Sequence, residues 1–431
     1  MKVKMRRATW EEILSRPPIP RIKPKKPSLL FRSLVRILSV PDLLATRFTF
    51  TKTRMEEAGK GPYLILMNHS SFLDLKMASK ILYPMPYGIV STTDAFVGKA
   101  WLMRQIGCIP TQKFVTDVTL VMDLIRTVKK NKTSVLMYPE AGYSLDGRAT
   151  VLPRRLGGLL KRLDVPVLMI RSDAGGFLRD PLYNGLRLRR VKVSAELSCL
   201  LTREEIREKS IGELDEVLDR AFSFDHFAEQ KEKGIPITEP SRCEGLERVL
   251  YRCPHCEKEG VMKGEGVLLS CTACGKKYRL DEFGALRATE GESAFSAVSE
   301  WFDWQRACVR RELEEGTYGF EIPVSVGVIC DHKAMYLVGD GVLRHSPEGF
   351  ELFSEDGTLR YRQDVYASYS LNADYFFYEI GDMISIGDKK RLYYCFPKNS
   401  FPVTKARLAA EELYQMPKKT ASSQKSCEET T

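Results

Sequence analysis

No stretch of this 431-residue sequence approaches the ~18 consecutive apolar residues of a bilayer-spanning helix, so it offers no candidate transmembrane helix. Its basic, Trp-containing start has neither the apolar core nor the small-residue cleavage site of a secretory signal. The expectation is a cytoplasmic protein. Internal repeats are absent as well, which excludes a solenoid-type array. A disulfide framework is also missing. The 11 cysteines are odd in number; four have a metal explanation and seven are scattered, as suits a reducing compartment.

What is present describes a folded, multidomain chain. Its length favours two or three domains, and 43% hydrophobic with 28% charged residues is a globular composition. A formal charge of +10 favours an anionic partner. Nucleic acid and an anionic membrane surface both satisfy that, so charge alone does not choose.

Residues 1–59 read as a basic amphipathic lead-in. Lys23, Lys25 and Lys26 alternate with Pro24 and Pro27, and then Leu30, Phe31, Leu34, Ile37 and Leu38 recur on one face of a helix. Arg32, Arg36 and Ser39 take the opposite face. Such a stripe either lies in a lipid headgroup layer or packs as ordinary core.

Residues 60–240 alternate strand-like runs (62–67, 87–91, 134–138, 165–170) with helical ones (71–82, 119–130, 153–163). The fold class expected is an α/β domain with a mainly parallel sheet, its active loops following strand ends. Helical, charged residues 200–230 close it, with Thr202 and Glu205 as a capping-box pair.

Residues 241–290 contain the sharpest spacing in the chain. Cys253-Pro-His-Cys256, fourteen residues, then Cys271-Thr-Ala-Cys274 are two C-x2-C knuckles. Four thiolates can close a tetrahedral Zn2+ site, and no position is then left open for catalysis. The zinc is therefore structural, holding a small ribbon. His255, inside the first knuckle, reads as exposed. Lys276, Lys277 and Arg279 follow the second, but only Tyr278 interleaves with them, which disfavours nucleic acid as a partner.

Residues 291–416 combine a helix at 295–315, with Trp301, Phe302, Val309 and Leu313 on its apolar side, and a β-rich run at 322–396 broken by Gly-Asp and Asp-Gly turns. Six or seven strands closed by a helix at 403–414 are similar to a pleckstrin-homology-like module. Residues 417–431 read as a disordered polar tail.

The chemistry concentrates between these landmarks. In Asn68-His69-Ser70-Ser71-Phe72-Leu73-Asp74, His69 and Asp74 meet only if His69 precedes a helix and Asp74 opens it, with Ser70 or Ser71 as the N-cap. A carboxylate against one imidazole nitrogen leaves the other basic, which is a general-base arrangement. Further blocks follow at Gly107-Cys108-Ile109-Pro110-Thr111-Gln112-Lys113, at Tyr138-Pro139-Glu140-Ala141-Gly142-Tyr143-Ser144 and at Val165-Pro166-Val167.

These four blocks, in this order, resemble the H-x4-D glycerophospholipid acyltransferase family, whose best-known members acylate lysophosphatidic acid. The resemblance covers residues 60–171. It implies transfer from an acyl thioester, acyl-CoA or acyl carrier protein, to a lysophospholipid such as 1-acylglycerol 3-phosphate. His69 and Asp74 would be catalytic; Lys113, Glu140, Gly142, Ser144 and Arg148 would bind substrate. Lys113 stands where the family has Arg. Glu140 either holds the acceptor or ties down its loop. Tyr143 replaces a phosphate-binding Arg, for which Arg148, Arg154 or Arg155 could substitute. No serine or cysteine is set up as a covalent nucleophile, and Cys108 has no His nearby, so direct transfer is expected. The lipid substrate implies peripheral association with the inner face of the cell membrane.

Overall fold

A computed structural model describes residues 3–19, 21–115 and 117–416. The tail at 417–431 lies outside the described residues. Three sheets are present among the described residues, a mainly parallel one, a small one at the cysteine knuckles and an antiparallel C-terminal one, as the expected fold class requires.

The first sheet runs, in spatial order, Thr49–Thr53, Ser194–Leu201, Val167–Ser172, Leu64–Met67, Ser134–Met137, Tyr87–Thr92, Cys108–Thr111. Its centre is apolar on both faces, as a helix-covered parallel sheet requires: every residue of Leu64–Met67 and Ser134–Met137 is buried. Pairing is parallel except where Ser194–Leu201 runs against Val167–Ser172. Pro110 sits in the edge strand, where its missing N–H is tolerated. Thr49–Thr53 falls in the N-terminal segment as read from sequence, yet it forms the opposite edge of this sheet.

The register builds the site. Leu66 pairs with Met137, and Met67 pairs with Ile170. The loops that leave Leu64–Met67 and Ser134–Met137 at their C-terminal ends are therefore neighbours and carry the first and third motif blocks, while the fourth block, Val165-Pro166-Val167, enters the strand Val167–Ser172 at its other end.

A four-stranded antiparallel sheet, Met262–Glu265 to Leu286–Ala288, surrounds the cysteine knuckles. The C-terminal module has seven antiparallel strands between Phe320–Ile329 and Leu392–Pro397, closed by the helix Val403–Gln415. The helix Val298–Glu314 ties the modules together. Trp301 donates to the Arg252 carbonyl at 2.9 Å and packs edge-on to Tyr278 at 4.9 Å, while Arg306 pairs with Glu411 and Glu412 of the closing helix. One continuous hydrophobic core runs through all three modules.

Three expectations need correction. The helix after His69 is Asp74–Leu82 with Leu73 at its N-cap; neither Ser70 nor Ser71 caps it, and the Ser71 hydroxyl instead accepts the N–H of Leu73, ahead of the helix, at 3.0 Å. The single helix read at 119–130 divides into Val118–Ile125 and a π-turn at Arg126–Lys130. The third concerns the polar face of the lead-in helix Leu29–Ala45. Ser39 is buried against Ser79, and Leu30, Ile37 and Leu38 are 73%, 65% and 66% exposed. The apolar stripe faces outward and is not core. Residues ahead of it are not a free arm either: Met5–Arg7 adds a strand beside Met335 to Leu337, and Trp10 and Ile13 are buried.

Candidate active site and metal centre

Asp74 opens its helix with its carboxylate turned back over the preceding loop. One oxygen, Oδ2, is 2.8 Å from His69 Nδ1 and accepts the N–H groups of Ser70 at 3.0 Å and Ser71 at 3.2 Å. Asp74 is 1% exposed, so this charge is desolvated and fixed. His69 retains some exposure, with 20% of its side chain accessible. Its ring stacks on Tyr138 at 4.2 Å and on Tyr143 at 3.9 Å, and Tyr143 continues the stack onto Phe72 at 5.1 Å. Nε2 has no hydrogen-bond partner among the described residues and is the available basic atom.

Glu140 secures this loop from the neighbouring strand. Its Oε2 accepts His69 N–H at 2.8 Å and its Oε1 accepts Thr150 N–H at 3.0 Å. Burial raises its pKa to about 7 despite those two bonds. Ser144 donates its N–H to the His69 carbonyl and its hydroxyl to the Arg148 carbonyl. Gly142 lies against the Phe114 ring, where an added Cβ would sit 3.6 Å from it.

Residues behind the pair make contacts that the sequence reading missed. Asn68 Oδ1 accepts Ser172 N–H at 2.8 Å and its Nδ2 donates to Ser70 Oγ at 3.1 Å. Ser70 Oγ is also 3.0 Å from His226 Nε2, and Glu229 stands 3.5 Å from His226 Nδ1. That order resembles a serine triad, but Ser70 is 3% exposed and His226 1%. An acyl thioester has no path to that hydroxyl; the set braces the loop. Ser71 donates to Asp180 at 2.6 Å, and burial raises Asp180 to about 6. Neither His226 nor Asp180 lies in a recognisable motif, and only the fold brings them here.

The cations distribute differently from expectation. Arg148 is bidentate to Asp303 at 2.8 and 2.7 Å and also bonds Asp146 at 2.7 Å, so its charge is compensated away from His69. It lines a cavity of about 400 Å³ with Arg306, Arg407 and Glu411, which includes neither His69 nor Asp74. Arg154 lies over the Tyr414 ring at 5.0 Å. Lys113 is half-buried and makes no ion pair or hydrogen bond among the described residues. Cys108 is buried, and that burial pushes its thiol up to about 12, which suits an inert residue.

The four knuckle sulfurs lie within 4.8 Å of one another, Cys253–Cys274 at 3.8 Å and Cys256–Cys271 at 3.7 Å. An ion about 2.3 Å from each corner of a tetrahedron separates its ligands by about 3.8 Å. The set fits a four-thiolate metal such as zinc, with Cys253, Cys256, Cys271 and Cys274 as its holders. His255 is exposed, and Tyr278 is buried against Trp301, so it gives Lys276, Lys277 and Arg279 no exposed stacking ring.

A mainly parallel α/β sheet thus carries a His/Asp pair on the loop after its central strand, and comparison with known proteins gives the class of this domain. Residues 47–170 match the family described as Acyltransferase. The N-terminal half of the chain therefore carries an acyltransferase domain similar to the lysophosphatidic acid acyltransferases. The 1-acyl-sn-glycerol-3-phosphate acyltransferase of Saccharomyces cerevisiae is 27% identical over 171 residues, 37% of this chain. The chain spans about half of that relative, 54% of its length. Among solved structures, the 1-acyl-sn-glycerophosphate acyltransferase PlsC of Thermotoga maritima aligns with 17% identity and a TM-score of 0.34, over 44% of this chain and 78% of that one.

Proposed function

We propose that the chain moves a fatty acyl group from an acyl thioester, of coenzyme A or acyl carrier protein, to the hydroxyl of a lysophospholipid. The yeast relative is named for 1-acyl-sn-glycerol 3-phosphate, which makes that compound the first acceptor to test. The observation that carries this reading is the 2.8 Å approach of His69 Nδ1 to a buried Asp74, with Nε2 left free. Asp74 holds the Nδ1 proton, so Nε2 is the base. It takes the acceptor's hydroxyl proton as that oxygen attacks the thioester carbonyl. The C–O bond forms, the C–S bond breaks, and His69 returns the proton to the departing thiolate. Positioned general bases contribute about 10²–10⁴-fold.

Glu140 supports the reaction through the loop, because both its oxygens are held by backbone N–H groups. Substrate is met at a membrane surface. No helix among the described residues is long and apolar enough to cross a bilayer. The outward stripe of Leu29–Ala45, with Trp101 68% exposed and edge-on to Phe31 at 5.9 Å, instead forms an apolar patch next to Lys23, Lys25 and Lys26. Fully burying one such side chain stabilises by about 1.5–3 kcal/mol, which anionic lipid at the inner face of the cell membrane would supply.

The test is thiol release from a panel of acyl donors and lysolipid acceptors, wild type against His69→Ala. His69-dependent ester formation is expected. An acyl-enzyme trapped on a serine or cysteine would overturn direct transfer.

A further inference from the structure

The cavity of about 400 Å³ that Arg148 lines is built from two parts of the chain. One wall is the segment Leu145 to Val151, just after the third motif block, together with Phe222 and Phe224. The other comes from Phe302, Asp303 and Arg306 of the helix Val298–Glu314 and from Thr404, Arg407 and Glu411 of the helix Val403–Gln415. Both helices lie beyond residues 47–170, so this second wall is built outside the family's domain. Asp219 and Ser223, both exposed, stand at the mouth. A volume of this size takes a small molecule.

Most charges in the walls are engaged with one another. Arg148 holds Asp146 and Asp303, and Arg306 holds Glu411 and Glu412 through its two terminal nitrogens. Arg407 differs. It is 5% exposed, its Nε donates to Glu411 at 3.0 Å, and its Nη1 and Nη2 make no hydrogen bond to any described residue. The N–H donors on those two nitrogens are left open on a buried cation, although buried donors are almost always paired. The two terminal nitrogens of one guanidinium form a fork that matches two oxygens of a carboxylate or a phosphate. Phe222, Phe224 and Leu408, all buried, add apolar wall for the carbon part of such an anion.

Two hydrogen-bond routes lead from this cavity to His69. Thr150, in its wall, donates its N–H to Glu140 at 3.0 Å, and Glu140 accepts the His69 N–H at 2.8 Å. The carbonyl of Arg148 accepts the Ser144 hydroxyl at 2.6 Å, and the Ser144 N–H donates to the His69 carbonyl at 3.1 Å.

We propose that this cavity binds a small soluble metabolite bearing a carboxylate or a phosphate, its oxyanion on the Nη1–Nη2 fork of Arg407, and that occupancy stiffens the His69 loop and raises turnover. The binding stands by itself; the effect on turnover rests on acyl transfer at His69.

The test is calorimetric titration of the full, zinc-loaded chain with butanoate, butyl phosphate and uncharged butanamide. An oxyanion is expected to bind once per chain and at least about tenfold tighter than the amide, as a charged hydrogen-bond partner gives. The better of the two anions assigns carboxylate or phosphate. Arg407→Met should lower that affinity by about the same factor. Because it also removes a contact of buried Glu411, Ser223→Trp gives a second reading: the serine hydroxyl makes no hydrogen bond among the described residues, and an indole there closes the mouth with Arg407 intact. His69→Ala should bind as wild type does. Equal affinity for anion and amide, or undiminished binding in both folded variants, would overturn the site. Loss of binding in His69→Ala overturns it too, by placing the anion in the catalytic cleft. In the acyl-transfer assay the bound anion should raise kcat at least about twofold with KM unchanged, and not in Arg407→Met. An unchanged kcat refutes the coupling. If no ester forms in a His69-dependent way, the acyl-transfer reading fails and the titration alone decides the site.

Discussion

The Glu140 carboxylate accepts the backbone N–H of His69 at 2.8 Å, joining the third motif block to the first across neighbouring strands. Its second oxygen is occupied by Thr150 N–H. Glu140→Gln would turn an amide nitrogen toward one of these donors and leave it unpaired. A loss of about 1–3 kcal/mol is expected, together with reduced kcat. The wild-type group also has a pH signature. Burial raises its pKa to about 7, above the ordinary value near 4.3, so the native state binds this proton more tightly. Its contribution is full below about pH 4 and is lost as pH rises through about 7. Urea unfolding at several pH values should show that slope in wild type and not in the variant.

Asp74→Asn separates charge from geometry. An amide oxygen can still accept from His69 Nδ1, Ser70 N–H and Ser71 N–H, so the fold should survive. What disappears is the negative charge that steadies His69 as it gains a proton. A fall in kcat of about 10²–10⁴-fold at unchanged melting temperature is expected, read by steady-state kinetics and thermal unfolding.

The exposed stripe makes a separable prediction. Changing Leu30, Ile37 and Leu38 together to Gln removes little that is buried in the fold. Stability should move by no more than about 0.5 kcal/mol per site, while partition onto anionic vesicles falls at least tenfold in flotation assays.

Metal removal should be felt beyond the ribbon. Cys274→Ser takes one ligand from a closed set, and Tyr278 packs on Trp301 of the helix that ties the modules together. Elemental analysis should give one zinc per wild-type chain and less in the variant. The melting temperature should drop by at least about 5 °C for the whole chain.

Much of this was legible in the sequence because its signals are local. Apolar runs marked the four central strands within a few residues of their ends. The Thr202–Glu205 capping box formed as read, since its partners lie one helical turn apart. The β-rich run with its closing helix followed from turn residues and strand composition. Ser39 shows the limit: it reads as part of the polar, outward face, and packing on Asp74–Leu82 turned it inward.

The sequence alone determined the order of the motif blocks, the His69/Asp74 spacing and the two cysteine knuckles, each written within a few dozen residues and enforced by strand, turn or metal geometry. Tertiary structure decided what surrounds them: His226 behind Ser70, Glu140 bound to backbone, Arg148 drawn away to Asp303, and Tyr369 of the C-terminal module bonded to Pro139. Those neighbours come from strand order and from docking of the C-terminal module. Such contacts join residues far apart in the chain, and no local periodicity or turn chemistry encodes them.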